Sequence, residues 1–183
     1  MRAPTAATIP LDACESIVQN AQEAQGLFTA AQSIPGWEDV PTVPRPPRTT
    51  VTTTVTTQSG LLTRAICLTS LARQNLAYFD RHSLCGKDER EKARQSLAEL
   101  TRFIEKNKDV FRDIIKRDEA SIKQEVAATQ QEIAVLRREM DDTQEPEERA
   151  LIQGQVNVSN LRLVRLGELG AQIADTWRFF QSL

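Results

Sequence analysis

Apolar residues recur along the second half of the chain in steps of three and four. From Lys87 to Asp142 no Pro or Gly interrupts the pattern. Leu97, Leu100, Ile104, Phe111 and Ile114 form one stripe, with Asn107 in its single polar slot. A second register follows at Ile115, Ile122, Val126, Thr129, Ile133, Leu136 and Met140. This spacing predicts one helix over 87–142 whose seam packs against other helices. The shift between Ile114 and Ile122 reads as a stutter that carries the stripe around the helix. At ~1.5 Å per residue the helix is roughly 80 Å long, which implies an elongated molecule.

The same pattern predicts three further helices. One runs from Leu11 to Ser33, with Ile17, Val18, Ala21, Ala24, Phe28 and Ala31 on one face; Asp12 and Glu15 form a variant capping box at its start. It stops at Ile34-Pro35-Gly36. A second spans Leu61–Asp80, with Leu62, Ala65, Ile66, Thr69, Ala72, Leu76 and Phe79 as its buried stripe. The last runs over 146–180, because Pro146 followed by two glutamates is a helix start that both ring geometry and dipole favour. One of its heptad positions falls at Ile152, Ser159, Leu166, Ile173 and Phe180, the other at Val156, Leu163, Gly170 and Trp177. The core seam is therefore assigned to Leu97, Leu100, Ile104, Phe111, Ile133 and Leu136, together with Leu163, Leu166, Ile173 and Trp177. The short break at Thr143–Pro146 makes the last helix antiparallel to the long one.

Between the first two helices the pattern lapses. The chain from Pro35 to Pro47 holds five prolines and Trp37, and Thr49–Thr57 is seven threonines around Val51 and Val55. The proline stretch is extended and partly polyproline-like. Arg45-Pro46-Pro47-Arg48 could serve a proline-binding domain, although a stiff connector is the simpler account. The threonine tract favours extended backbone, but no neighbouring segment offers an evident second strand. A mobile loop is therefore expected there, with a β-arm that adds to a partner's sheet edge as the alternative. The whole reads as an all-α, elongated antiparallel bundle, a coiled-coil hairpin carrying a Pro/Thr-rich extended arm. Its parts are an N-terminal helix within 1–34, the arm over 35–60 and the bundle over 61–183.

Composition supports that class. Aromatics make up 5% of the 183 residues, as suits packed helices better than a sheet protein. The net charge of −2 gives no field to draw in nucleic acid. From Arg81 to Asp142, 14 basic and 14 acidic residues interleave at pairing distance, in the manner of a solvated helix face. No apolar run reaches the ~18 residues of a membrane span. The opening MRAPTAATIP lacks a signal peptide's hydrophobic region, so either the chain is cytoplasmic or particle-associated, or it is a mature exported one with an added Met.

Candidate chemistry is sparse. Cys14, Cys67 and Cys85 are an odd set, so at least one thiol is free or pairs between chains. Cys67 and Cys85 pair only if the segment after Phe79 doubles back, and burial as small hydrophobes is the plainer reading. Asp80, His82 and Cys85 share a turn, but a structural zinc wants a fourth ligand and a nucleophilic Cys wants an orienting group. The sequence accordingly predicts no catalytic residue, no metal and no cofactor. Asn157-Val158-Ser159 matches a glycosylation triplet inside a predicted helix, where chance explains it. The protein is expected to bind other proteins, and a homo-oligomer is compatible with that. Trp37, Val51 and Val55 in the arm are the candidate contact residues.

Two short pieces carry a resemblance. Ala7-Thr8-Ile9-Pro10-Leu11-Asp12-Ala13 resembles the mature N-terminus of the minor pilus-tip proteins of type IV secretion and conjugation systems. Gln144-Glu145-Pro146-Glu147-Glu148-Arg149-Ala150-Leu151-Ile152-Gln153 resembles the turn into their last helix. The resemblance implies a periplasmic or cell-surface assembly and adhesion role without enzyme activity. The Pro- and Thr-rich middle departs from that family's pattern. Two other expectations compete: a virion or particle component that docks in a ring or sheath, and a secreted helical effector that binds a host protein.

Overall fold

In a computed structural model, which describes residues 12–41 and 52–182, the chain is an all-α helical bundle with one small hairpin inserted. Four helices occur among the described residues: α1 (Asp12–Ala31), α2 (Ser59–Arg81), α3 (Lys87–Asp142) and α4 (Pro146–Gln181). Strands β1 (Gly36–Pro41) and β2 (Thr52–Thr57) pair antiparallel between α1 and α2. Thr52–Thr57 of the threonine tract therefore has a partner, and for those residues the expectation of a mobile loop is corrected. Its partner was concealed because Gly36-Trp37-Glu38-Asp39-Val40-Pro41 is rich in residues that strands usually avoid. Val51 and the Arg45–Arg48 motif lie outside the described residues.

The chain gathers into two compact units. The first contains the described residues up to Ser33 together with Leu61–Phe111. Its core is built from small residues of α1 and α2 (Ala21, Ala24, Ala65, Ala72), which let helices approach closely, and from Leu97, Leu100, Ile104 and Phe111 of α3. Phe28 and Phe111 are fully buried, with ring centroids 5.2 Å apart; burial of each contributes on the order of 1.5–3 kcal/mol. Asn107, the polar slot in the stripe, is explained here. Its Oδ1 accepts from Gln32 Nε2 at 3.1 Å, and its amide donates to the Phe103 carbonyl. A polar residue inside a seam is tolerated when it is paired in this way.

The second unit holds Ile34–Gly60 and Arg112–Ser182. Here α4 runs antiparallel to the distal part of α3. Arg112 donates to the Phe180 carbonyl, Gly170 lies against Ile122, and Ile133 and Leu136 cluster with Ile152 and Val156. Leu166 and Ile173 are buried, whereas Leu163 and Trp177 are half-buried. Lys116 sits 5.8 Å from the centre of the Trp177 ring, which keeps that indole at the rim of the seam. Pro146 starts α4 behind an extended Glu145 that makes no side-chain cap. The turn is held instead by Arg149, which donates to the carbonyls of Met140 (3.0 Å) and Thr143 (3.1 Å) and so satisfies the frayed end of α3.

Candidate functional site

The hairpin is the candidate site, and its attachment follows from a few residues. Cα partners run from Gly36↔Thr57 through Trp37↔Thr56 and Glu38↔Val55 to Pro41↔Thr52. Strand side chains alternate between faces, so Glu38 and Val40 share one face of β1. Val40 is fully buried, and Glu38 accepts from Arg165 of α4 at 2.7 Å. Arg165 and Glu38 are only 32% and 19% exposed, so this ion pair is less screened than the helix-surface pairs. An added Cβ at Gly60 would stand 3.0 Å from Glu38 Oε1, so the glycine leaves room for that carboxylate. Asp39, on the alternate face, is exposed.

The base of β2 is fixed by a buried carboxylate. Asp118 of α3 accepts from the backbone N–H of Gln58 at 2.8 Å and of Ser59 at 2.7 Å, and from the Ser59 hydroxyl at 2.5 Å. These groups are the first donors at the α2 N-terminus, where negative charge is favoured. Arg117 beside it donates to Gln58 Oε1 at 3.2 Å. Asp118 thus caps a helix far from it in sequence, and its acceptor oxygen is fully engaged by that task.

Of the three candidate contact residues, two fall on described backbone. Trp37 lies on β1 opposite Thr56, and Val55 on β2 opposite Glu38. Val51 is outside the described residues. Neither Asp118 nor Arg165 was evident from sequence. Asp118 is one of many acids on α3, and only its burial sets it apart.

The turn before α3 is the second candidate. Leu84 N–H returns to the Phe79 carbonyl and Ser83 N–H to that of Asp80, a Schellman-type end with Ser83 left-handed at φ 50°. Cys85 is left-handed as well, at φ 60°. Non-glycine residues hold such angles at some cost, and here a covalent bond fixes the second: Cys85 is joined to Cys14 of α1. The expected readings of the cysteines are therefore corrected. Cys85 does not pair with Cys67, and Cys67 is an exposed free thiol, not a buried hydrophobe. The partner was missed because Cys14 lies 71 residues away and local geometry says nothing about it.

The disulfide removes Cys85 from any metal or thiolate role. Asp80 is engaged by Arg94, and the His82 ring packs tilted against Tyr78 with centroids 4.4 Å apart. The hydrogen bonds of Arg94 with Glu91 and Asp80 hold its guanidinium above its ordinary pKa. Among the described residues no group of three metal-capable side chains converges. Beside the disulfide is a groove of about 570 Å³ lined by Cys14, Glu15, Val18, Glu89, Lys92 and Ser96, among others, which offers mixed charge. No helix among the described residues is long and apolar enough to cross a membrane. No family model, curated protein or solved structure matches the chain.

Proposed function

We propose that this chain is a non-enzymatic assembly protein that acts in an oxidising compartment, as a pilus-tip or cell-surface component of a type IV secretion apparatus. The Cys14–Cys85 bond carries this reading. Structural disulfides form and persist in secreted and periplasmic proteins and are rare in reducing cytosol. This one ties the start of α1 to the turn that launches α3 and closes a long loop. The resemblance of the N-terminal and Gln144–Gln153 stretches to pilus-tip proteins points to the same compartment. The hairpin supplies a binding element. Its β1 face is tied down through Val40 and Glu38, and its other strand is uncharged, as an edge that accepts a partner's backbone would be.

Fractionation of cells that express the native gene tests this directly. The protein is expected in periplasm or surface pili, in the oxidised form, and deletion of Val40–Thr57 across a short flexible linker is expected to abolish assembly while the helices stay folded. A cytosolic, fully reduced protein would overturn the reading. So would measurable turnover lost on His82→Ala.

A further inference from the structure

We propose that β2 pairs, antiparallel and about a two-fold axis, with β2 of a second copy of this chain. The inference rests on the assembly reading above and specifies the partner.

A two-stranded hairpin has two outer edges, and they are unlike. Strand β1 carries Glu38 and Asp39 and ends in Pro41, the residue types that guard an edge against further pairing. It is also the strand tied to α4 through Glu38 and Arg165. Strand β2, Thr-Thr-Thr-Val-Thr-Thr, has no charge, no Pro and no Gly. Its one strand neighbour among the described residues is β1. Its own sequence carries none of the residue types, charge, Pro or Gly, that usually guard an edge.

The sequence of β2 also fits its own reverse. Thr53-Thr54-Val55-Thr56-Thr57 reads identically in both directions about Val55. An antiparallel pair of two copies centred there sets Val55 opposite Val55, Thr54 opposite Thr56 and Thr53 opposite Thr57. Threonines across from each other hydrogen-bond and pack favourably, so Thr54 and Thr56 meet compatible partners across the axis, while Thr57, buried at 3% exposure, keeps its side chain within its own copy. The contact is isologous, so it closes at two copies and leads to no open fibre. It also turns an element that is marginal by itself into a four-stranded sheet, β1-β2-β2-β1. A heterologous strand would have no reason to require a palindrome.

Thr54 lies opposite the exposed Asp39 in the hairpin, and Thr56 is two residues along the same alternation. Neither position is in register with Val40 or Glu38, so charge placed there tests the pairing. Two double variants are needed: Thr54→Lys with Thr56→Lys, and Thr54→Glu with Thr56→Glu. Sedimentation velocity across a concentration series is expected to show a dimer for the unaltered chain. Each variant alone should associate at least about tenfold more weakly, since like charges then stand opposite across the axis. An equimolar mixture of the two should recover the dimer. Circular dichroism should show unchanged helix in all of them. A monomeric unaltered chain, or a dimer indifferent to both substitutions, would overturn the pairing. The assembly reading fails separately: it falls if deletion of Val40–Thr57 leaves pilus assembly intact, and it survives a monomeric chain that loses assembly on that deletion.

Discussion

The Asp118 carboxylate, midway along α3, accepts both the N–H and the hydroxyl of Ser59, at 2.7 and 2.5 Å. One side chain thereby ends the hairpin, begins α2 and fixes both to α3. A cap supplied from another helix does what Ser or Asp at the N-cap does locally, and it does so with a full charge in a buried place. Asp118→Ala should therefore cost about 2–3 kcal/mol, the range for a charge-assisted hydrogen bond lost to a buried donor. Ser59→Ala, which removes only the hydroxyl, should cost about 1 kcal/mol. Urea denaturation of the two single variants and the double one checks this, and the double should cost less than the sum because the groups share one bond.

The disulfide makes a quantitative prediction. Closing a loop with a sequence separation of 71 removes unfolded-chain entropy worth about 4 kcal/mol on the loop-closure relation. Cys14→Ser should lower stability by roughly that amount. Titration of the folded, unreduced protein with a thiol reagent should count one reactive thiol, Cys67. After reduction and unfolding the count should rise to three.

Two glycines in α4 should yield to alanine with a gain. Nothing lies within 4 Å of an added Cβ at Gly154 or at Gly167. Both sit in the interior of a long helix, where Gly is roughly 0.5–1 kcal/mol worse than Ala. Gly154→Ala and Gly167→Ala should each raise the melting temperature by about 2–4 °C. Gly86→Ala is the contrasting control. There the new methyl meets the carboxylate of Glu89, which must move out of the first turn of α3, and no gain is expected.

Helices were legible in the sequence because their signals are repeated. Over α3 the stripe recurs for many turns without a breaker, and Pro146 with its two glutamates marks the start of α4 twice over. What was not legible depends on single pairings between distant residues. Gly36–Pro41 becomes a strand only because Thr52–Thr57 lies beside it and Val40 finds a buried place, while its own composition argues against a strand. Cys14 looks no different from Cys67 until the fold brings it within 6.4 Å, Cα to Cα, of Cys85. Asp118 and Glu38 resemble a dozen solvated acids, and what distinguishes them is the donor that the tertiary structure delivers. The candidate site is made of such residues, so the sequence located its segment but not its architecture.

The last prediction concerns a polar layer in the α3–α4 seam. Thr129 and Ser159 are buried to 1% and 0% exposure. Thr129 donates to the Glu125 carbonyl, one turn back. The Ser159 hydroxyl has no hydrogen-bond partner. One turn along α4, Arg162 reaches Glu125 at 2.6 Å and Glu132 at 4.0 Å, two acids a heptad apart on α3. The arginine ties α4 to both acids of α3, and polar contacts of this kind are best attested as fixing register inside a coiled-coil seam. The serine adds nothing to that grip and bears the cost of a desolvated hydroxyl. Ser159→Ala should therefore stabilise the protein by about 1 kcal/mol, since it removes the unpaired group and improves helix propensity. Arg162→Met should destabilise it, because two half-exposed carboxylates then face the seam without their cation. A thermal melt of each variant decides the matter: a loss of stability in Ser159→Ala would mean that the hydroxyl has a partner, and the layer would then be a connected network instead of a clamp beside an unpaired group.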